Sequence, residues 1–324
     1  MRQVHPVIWS VLCLVVLLCS CNHKELVYPT GSGGLTIAFD WTNAPTAQPD
    51  GMLLTVFSGT SQPVTYSISD RAGGELLLPN GTFQMVAQND NTESVFSRGN
   101  SWGDYELFAQ PTAINSIAQM FAATRNVPRA PGTESQNVVL EPDEMWASAL
   151  SNIQTAYTRT VTLPMDPITE EYVFTIENVE NLENVIEMAA TLSGMAGTYY
   201  PALRRCGDYD CIIPFPMDKT SGSSVRGTVR AFGNRLSDSY QEGNGVDRKL
   251  VVYIMLNDYT KYYSAFDVTE AINEARQNTP STTTGEIHLS ITIDEFVIPE
   301  PLTNGSGMHA EVDEWQEINV NIRM

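Results

Sequence analysis

Ile287, Leu289, Ile291 and Ile293 alternate with His288, Ser290, Thr292 and Asp294. A two-residue period puts every apolar side chain on one face of an extended strand and is incompatible with a helix, whose faces repeat near 3.6 residues. The same period recurs at Leu35, Ile37 and Phe39, at Tyr172, Phe174 and Ile176, at Val225, Val229 and Ala231, and at Ile318, Val320 and Ile322. Lys249 to Leu256 is almost uninterruptedly apolar, as expected of a central strand covered on both faces. Further strands are expected at 52–57, 65–68, 138–140, 158–163 and 262–268. Many short strands at a spacing of roughly 8 to 12 residues, with no βαβ rhythm and no internal repeat, predict a mainly β chain of two antiparallel β-sandwich domains.

Punctuation between the strands sharpens this layout. Pro79-Asn80-Gly81 joins Leu76-Leu77-Leu78 to the alternating Phe83, Met85 and Ala87, which reads as a hairpin. One or two short helices are expected. Leu182, Val185, Ile186 and Ala189 recur at helical spacing up to Ser193-Gly194, and residues 269–276 read as a second helix. A helical turn is expected around Trp146. The pattern weakens from Arg98 to Gln136, with an exposed loop over 126–133 that presents Arg129. These signals divide the chain into residues 34–154 and 155–324.

The first 33 residues read differently. Arg2 is followed by a twelve-residue apolar run from Val7 to Leu18, too short to span a bilayer, which takes about 20 residues. Leu18-Cys19-Ser20-Cys21 resembles the bacterial lipobox, in which the cysteine thiol is alkylated by a diacylglycerol and becomes the mature N-terminus. Residues 1–20 are therefore expected to leave as a signal peptide. Cys21 then carries lipid, and residues 21–33, ending near Gly31-Ser32-Gly33-Gly34, form a flexible tether to the outer membrane.

Residues 1–20 hold one charged side chain, Arg2, so the remaining 304 residues carry 17 basic and 38 acidic groups, a net charge of −21. Such a surface repels phosphate backbones, which excludes nucleic acid as a partner. Of five cysteines, Cys13 and Cys19 leave with the signal and Cys21 is lipidated. Cys206 and Cys211 remain, and in an oxidising compartment they most simply form a local disulfide. Cys206-Gly207-Asp208-Tyr209-Asp210-Cys211 also offers two sulfurs and two carboxylates. The C-x4-C spacing and the lack of a nearby histidine count against zinc, and no metal or cofactor is expected.

Catalysis is not expected either. His5, His23, His288 and His309 have no ligand or triad partner at strand or helix spacing, and neither H-E-x-x-H nor G-x-S-x-G occurs. Glu170-Glu171, Asp294-Glu295 and Asp313-Glu314 are adjacent pairs whose members point to opposite faces of a strand, unlike the opposed carboxyls of a glycosidase. Trp102, Tyr199-Tyr200, Tyr259 and Tyr262-Tyr263 offer rings that could stack on sugars, although paired tyrosines turn only one ring outward.

Several segments together are similar to a known family. Cys21-Asn22-His23-Lys24-Glu25-Leu26, Phe39-Asp40-Trp41, Gly74-Glu75-Leu76-Leu77-Leu78-Pro79-Asn80-Gly81, Pro128-Arg129-Ala130 and Leu192-Ser193-Gly194-Met195-Ala196-Gly197 resemble an uncharacterised Bacteroidales lipoprotein family related to the fimbrillin-like (Mfa-like) pilus proteins. The resemblance implies two transthyretin-like sandwiches and a role at the cell surface, as a pilus component or adhesin. It also implies strand addition between fimbrillin subunits as the mode of contact. In the polymerising members an arginine-directed protease removes the first strand, and a strand of the next subunit fills the groove. Here no arginine occurs from Cys21 through Asp70, and Arg71 follows the first strands. An anchor, tip or accessory subunit is therefore expected, with Ile318, Val320 and Ile322 as a candidate donor strand or, more simply, an ordinary edge strand of their own sandwich. A glycan-binding surface lipoprotein of a nutrient-uptake system is the alternative, and the host or glycan ligand is not legible.

Overall fold

The computed structural model describes residues 32–59, 61–114, 117, 121, 127–233, 247–280, 284–301 and 314–318. Its first half runs through β1 (Ser32–Asp40), β2 (Met52–Phe57), β3 (Val64–Ile68), β4 (Gly73–Pro79), β5 (Thr82–Asn89), β6 (Val95–Arg98), β7 (Glu106–Ala109), β8 (Asn137–Val138), β9 (Trp146–Gln154), β10 (Thr160–Pro164) and β11 (Asp166–Pro167). The second half adds β12 (Glu170–Glu180), β13 (Val185–Ala196), β14 (Thr198–Tyr200), β15 (Arg205–Cys206), β16 (Asp210–Ser221) and β17 (Ser224–Ala231). It ends with β18 (Lys249–Leu256), β19 (Lys261–Asp267), α1 (Thr269–Gln277), β20 (Ile287–Val297) and β21 (Trp315–Glu317). The mainly β expectation holds, and four pairings, β1 with β10, β8 with β16, β12 with β20 and β19 with β21, are parallel.

The N-terminal sandwich packs a three-stranded sheet, β10-β1-β4, on a five-stranded one, β11-β9-β5-β2-β3. Leu35, Ile37 and Phe39 point inward from β1, with Leu76 and Leu78 from β4, onto Leu54, Met85 and Ala87 of the facing sheet. The expected hairpin over Pro79-Asn80-Gly81 is instead a crossing between sheets, because β4 pairs with β1 while β5 pairs with β2 and β9. Neither Asn80 nor Gly81 takes the positive φ of a tight hairpin turn, so the chain arches from one layer to the other.

The C-terminal sheet has the order β20-β12-β17-β16-β13-β18-β19-β21, with β8 beside β16. β16 is its corner: residues through Pro216 pair with β13, and Met217 onward pairs with β17. The two arms fold over one core, in which Tyr172, Phe174 and Ile176 meet Leu192, Ile213, Val252 and Phe266. Gly227 is required at this corner, since a Cβ there would lie 2.7 Å from Phe215 and 2.9 Å from Met217. The far face of β13 and β18 is covered by Ile117, Phe121, Val127 and Ala130, which explains the unbroken apolar run of β18.

Two expected helices are strands. Leu182–Asn184 forms a single 3-10 turn, and the chain then extends as β13, whose Val185, Met188, Ala190 and Leu192 enter one core while Ala189 enters the other. A strand buried on both faces, with a register shift between Val185 and Glu187, imitates helical spacing. The stretch around Trp146 is β9. The helix expected at 269–276 is α1. β10 and β11, which follow residue 154, pair within the N-terminal sheets. A four-stranded sheet, β15-β14-β7-β6, joins the halves, pairing β7 from the first with β14 from the second.

Candidate functional site

The first described strand is held on both edges. Residues Thr36 to Asp40 run parallel to β10, and Ser32 to Ala38 run antiparallel to β4. Beyond the ladders, Thr36 N donates to Arg159 O at 2.8 Å, and Met165 N to Asp40 O at 2.8 Å. The contact with β4 depends on Gly73 (φ +127°), because a Cβ there would stand 1.9 Å from Ile37 O. Burial of Leu35, Ile37 and Phe39 is worth about 1.5–3 kcal/mol each. The expected lipidation site Cys21 and the tether up to residue 31 lie outside the described residues.

Arg71, the first arginine after the tether, is half-buried and tied to its neighbours. Its Nε donates to Ala47 O at 2.8 Å and its guanidinium lies over the Trp41 ring. Its neighbour Ala72 supplies the carbonyl that accepts from Phe39 N at 3.1 Å. Arg129 is clasped too, donating from Nη1 to Glu134 O and Gln136 O at 3.0 and 2.9 Å.

At the other end of the chain, β21 lies parallel to β19 at the sheet edge. Ile318 N donates to Tyr263 O at 2.8 Å, Ser264 Oγ donates to Ile318 O at 3.0 Å, and Trp315 packs edge-on against Phe121 and Tyr253. The start of the candidate donor strand is thus docked on its own sheet; Val320 and Ile322 lie outside the described residues.

The structure draws no bond between Cys206 and Cys211, the pair expected to form a disulfide. Cys206 pairs with Tyr199 across β15 and β14, and its Sγ donates to Phe232 O at 2.8 Å. Cys211 is buried in β16 opposite Met195.

Sheet pairing brings together charged residues that the sequence keeps far apart. Glu171 faces Arg230 on β17 and His288 on β20. His288 Nδ1 is 2.9 Å from Glu171 Oε1, and Arg230 Nη2 donates to Glu286 Oε2 at 3.1 Å. Glu171, Glu286 and His288 bring ligand-type atoms within 4.8 Å of one another, yet each carboxylate already meets a cation or the imidazole. On the other side of β12, Glu170 pairs with Arg276 of α1 and accepts from Tyr172 Oη at 2.7 Å. These groups clamp strands and α1. Asp313 lies outside the described residues.

The aromatic residues singled out in the sequence do not share a groove. Tyr199 turns inward onto Phe232, Tyr200 faces the other way, Tyr262 is buried and Tyr259 stands exposed on a separate turn.

A family model described as a domain of unknown function (DUF5119) matches residues 20–216. The "Putative fimbrium anchoring subunit Fim4B" of Bacteroides ovatus is 23% identical over 333 residues, covering 95% of each chain. Among solved structures, a crystal structure titled as a "putative adhesin" from Bacteroides ovatus superposes with a TM-score of 0.61 at 20% identity, covering 87% of this chain and 98% of that one. Another, titled "putative polysaccharide binding proteins", from Bacteroides thetaiotaomicron, gives 0.50 at 13% identity over 82% and 91%. These structures share the fold, and the sequence relative bears out the kinship with fimbrial proteins.

Proposed function

The chain belongs to the family described as a domain of unknown function, DUF5119, and from that premise we propose that it is a surface lipoprotein of fimbrial type. In this reading it stays tethered through Cys21 at the outer membrane and serves as an anchor or accessory subunit, working by contact with fimbrial subunits. The observation that carries the reading is the state of β1. It follows the tether directly and is hydrogen-bonded on both edges, and no arginine occurs from Cys21 through Asp70, ahead of Arg71, whose side chain is engaged. A subunit built this way keeps both its lipid and its first strand. It lacks the vacated groove that a polymerising stalk unit offers, so its contacts use sheet edges.

The name of the Bacteroides ovatus relative supports the anchoring role. The test is affinity capture of the protein from native membranes, with mass-spectrometric identification of any fimbrial subunits that come with it. Capture of at least one subunit supports the reading; retention of the protein at the membrane with none of them sinks it.

A further inference from the structure

The four-stranded sheet has one face in the core and one turned outward, where Phe96 is exposed and Glu106 and Thr198 are buried, and the outward face is sorted into two rows. Val95, Leu107, Ala109 and Tyr199 point inward onto the large core. Outward, Phe96 on β6 stands directly opposite Phe108 on β7, and Phe108 opposite Thr198 on β14. The next outward row is Arg98, Glu106, Tyr200 and Arg205, one from each strand. One row is apolar and the other is ionic.

The Phe96 ring is open, and the polar groups are fixed. Phe96 is 47% exposed, and its ring centroid lies 6.1 Å from that of Phe108 at a 35° tilt. Arg98 ion-pairs with Glu106 and lies over the Phe108 ring at 4.7 Å. Glu106 keeps its carboxylate 9% exposed and hydrogen-bonded to the Tyr200 phenol, which pushes Tyr200 up to about 12. Arg205 lies 5.7 Å from the Tyr200 ring and pairs with Asp208 at 3.3 Å. The Thr198 hydroxyl is buried with no hydrogen-bond partner among the described residues.

Size and charge narrow the occupant. Four strands at about 4.8 Å spacing and two residues along each make a platform of about 14 by 7 Å. That is well below the ~800 Å² per partner of a stable protein interface. It matches the footprint of a short run of sugar rings. Each arginine on it is met by a carboxylate, so the platform is neutral within a chain of net charge −20 that repels acidic polymers. A ring face beside a fixed carboxylate and guanidinium suits a ligand with one C–H face and a rim of hydroxyls.

We propose that this platform binds a neutral glycan, with a pyranose C–H face on Phe96 beside the Arg98-covered Phe108 and ring hydroxyls on Arg98, Glu106 and Tyr200. Residues 95–109 and 198–206 meet only in the folded chain, so neither segment signals the site alone. The inference stands apart from the tether. An anchored chain that binds no glycan overturns it without touching the fimbrial reading.

The test uses the full-length chain on an array of immobilised neutral oligosaccharides (β-1,4-glucan, xylan, galactomannan and high-mannose chains) with sialylated and sulfated chains for comparison. At least one neutral class is expected to be retained. Phe96→Ala should weaken that binding about tenfold, or roughly 1.4 kcal/mol, with only a small fall in thermal stability because half of the ring is exposed. Glu106→Gln should weaken it as well. Retention of acidic chains alone, no retention of any neutral chain, or binding indifferent to Phe96→Ala overturns the proposal. So does a Phe96→Ala variant that loses capture of a protein partner while the parent chain retains no glycan.

Discussion

Arg71 lays its guanidinium over the Trp41 ring, 4.8 Å from the centroid, while Trp41 Nε1 donates back to Arg71 O at 2.8 Å. The two residues lie 30 positions apart in the chain and close the end of β1 onto the start of β4. The peptide bond after Arg71 is therefore held in folded structure. An arginine-specific protease should leave Arg71-Ala72 intact in the native protein and cut it after Trp41→Ala. That substitution should cost roughly 3–5 kcal/mol, the usual loss for a buried tryptophan. Limited proteolysis with N-terminal sequencing of the fragments reads this out. Equal cutting at Arg71 in native and unfolded protein would contradict the closure.

Gly73 holds the same junction from the backbone. Alanine there would need φ +127° and a Cβ 1.9 Å from Ile37 O, so Gly73→Ala should destabilise by about 3 kcal/mol in chemical denaturation. Gly222→Ala, with no atom within 4 Å of the new Cβ, should change stability by less than about 0.5 kcal/mol. Similar losses at both positions would mean that β1 and β4 are not in close contact.

Glu144 carries a pH signature. Burial pushes its carboxyl above the ordinary value of 4.5, and the Glu286 charge adds to the effect. A raised carboxyl pKa means that the folded state binds the proton more tightly than the unfolded state. Its contribution therefore favours folding as pH falls toward 4.5 and opposes it at neutral pH. Glu144→Gln should raise the melting temperature by about 1–2 °C at pH 7 and leave it unchanged near pH 4. A loss of stability at pH 7 would show that the Glu144 carboxylate is used in a favourable ion pair.

The two thiols should differ in reactivity. Burial pushes the Cys211 thiol far above its ordinary value, whereas Cys206 is half-buried on a two-residue strand. Alkylation of the native protein at pH 8 should modify Cys206 well before Cys211, and both should react in urea. Failure of either to react in urea without reductant would reveal a disulfide formed after all.

What the sequence disclosed follows from burial. β12, β17, β18 and β20 were legible because one or both faces are buried over seven or more residues, long enough for a period to register. β13 misled because its apolar residues serve two cores at once, and the Pro79-Asn80-Gly81 turn misled because turn chemistry does not say which sheet the next strand joins. Phe96 and Phe108 went unnoticed since β6 and β7 have four residues each, too few for a period, within or beside the stretch where the pattern fades. The clamp of Glu171, Arg230 and His288 is a product of register alone, with partners 59 and 117 residues apart.

The central claim, that the chain keeps both its lipid and its first strand, is tested most directly by intact-mass and peptide analysis of the protein extracted from native membranes. The expected result is an N-terminus at Cys21 bearing diacylglyceryl and acyl mass, with the peptide containing Leu35, Ile37 and Phe39 on the same chain. An unmodified N-terminus, or one beginning after Arg71, would contradict it.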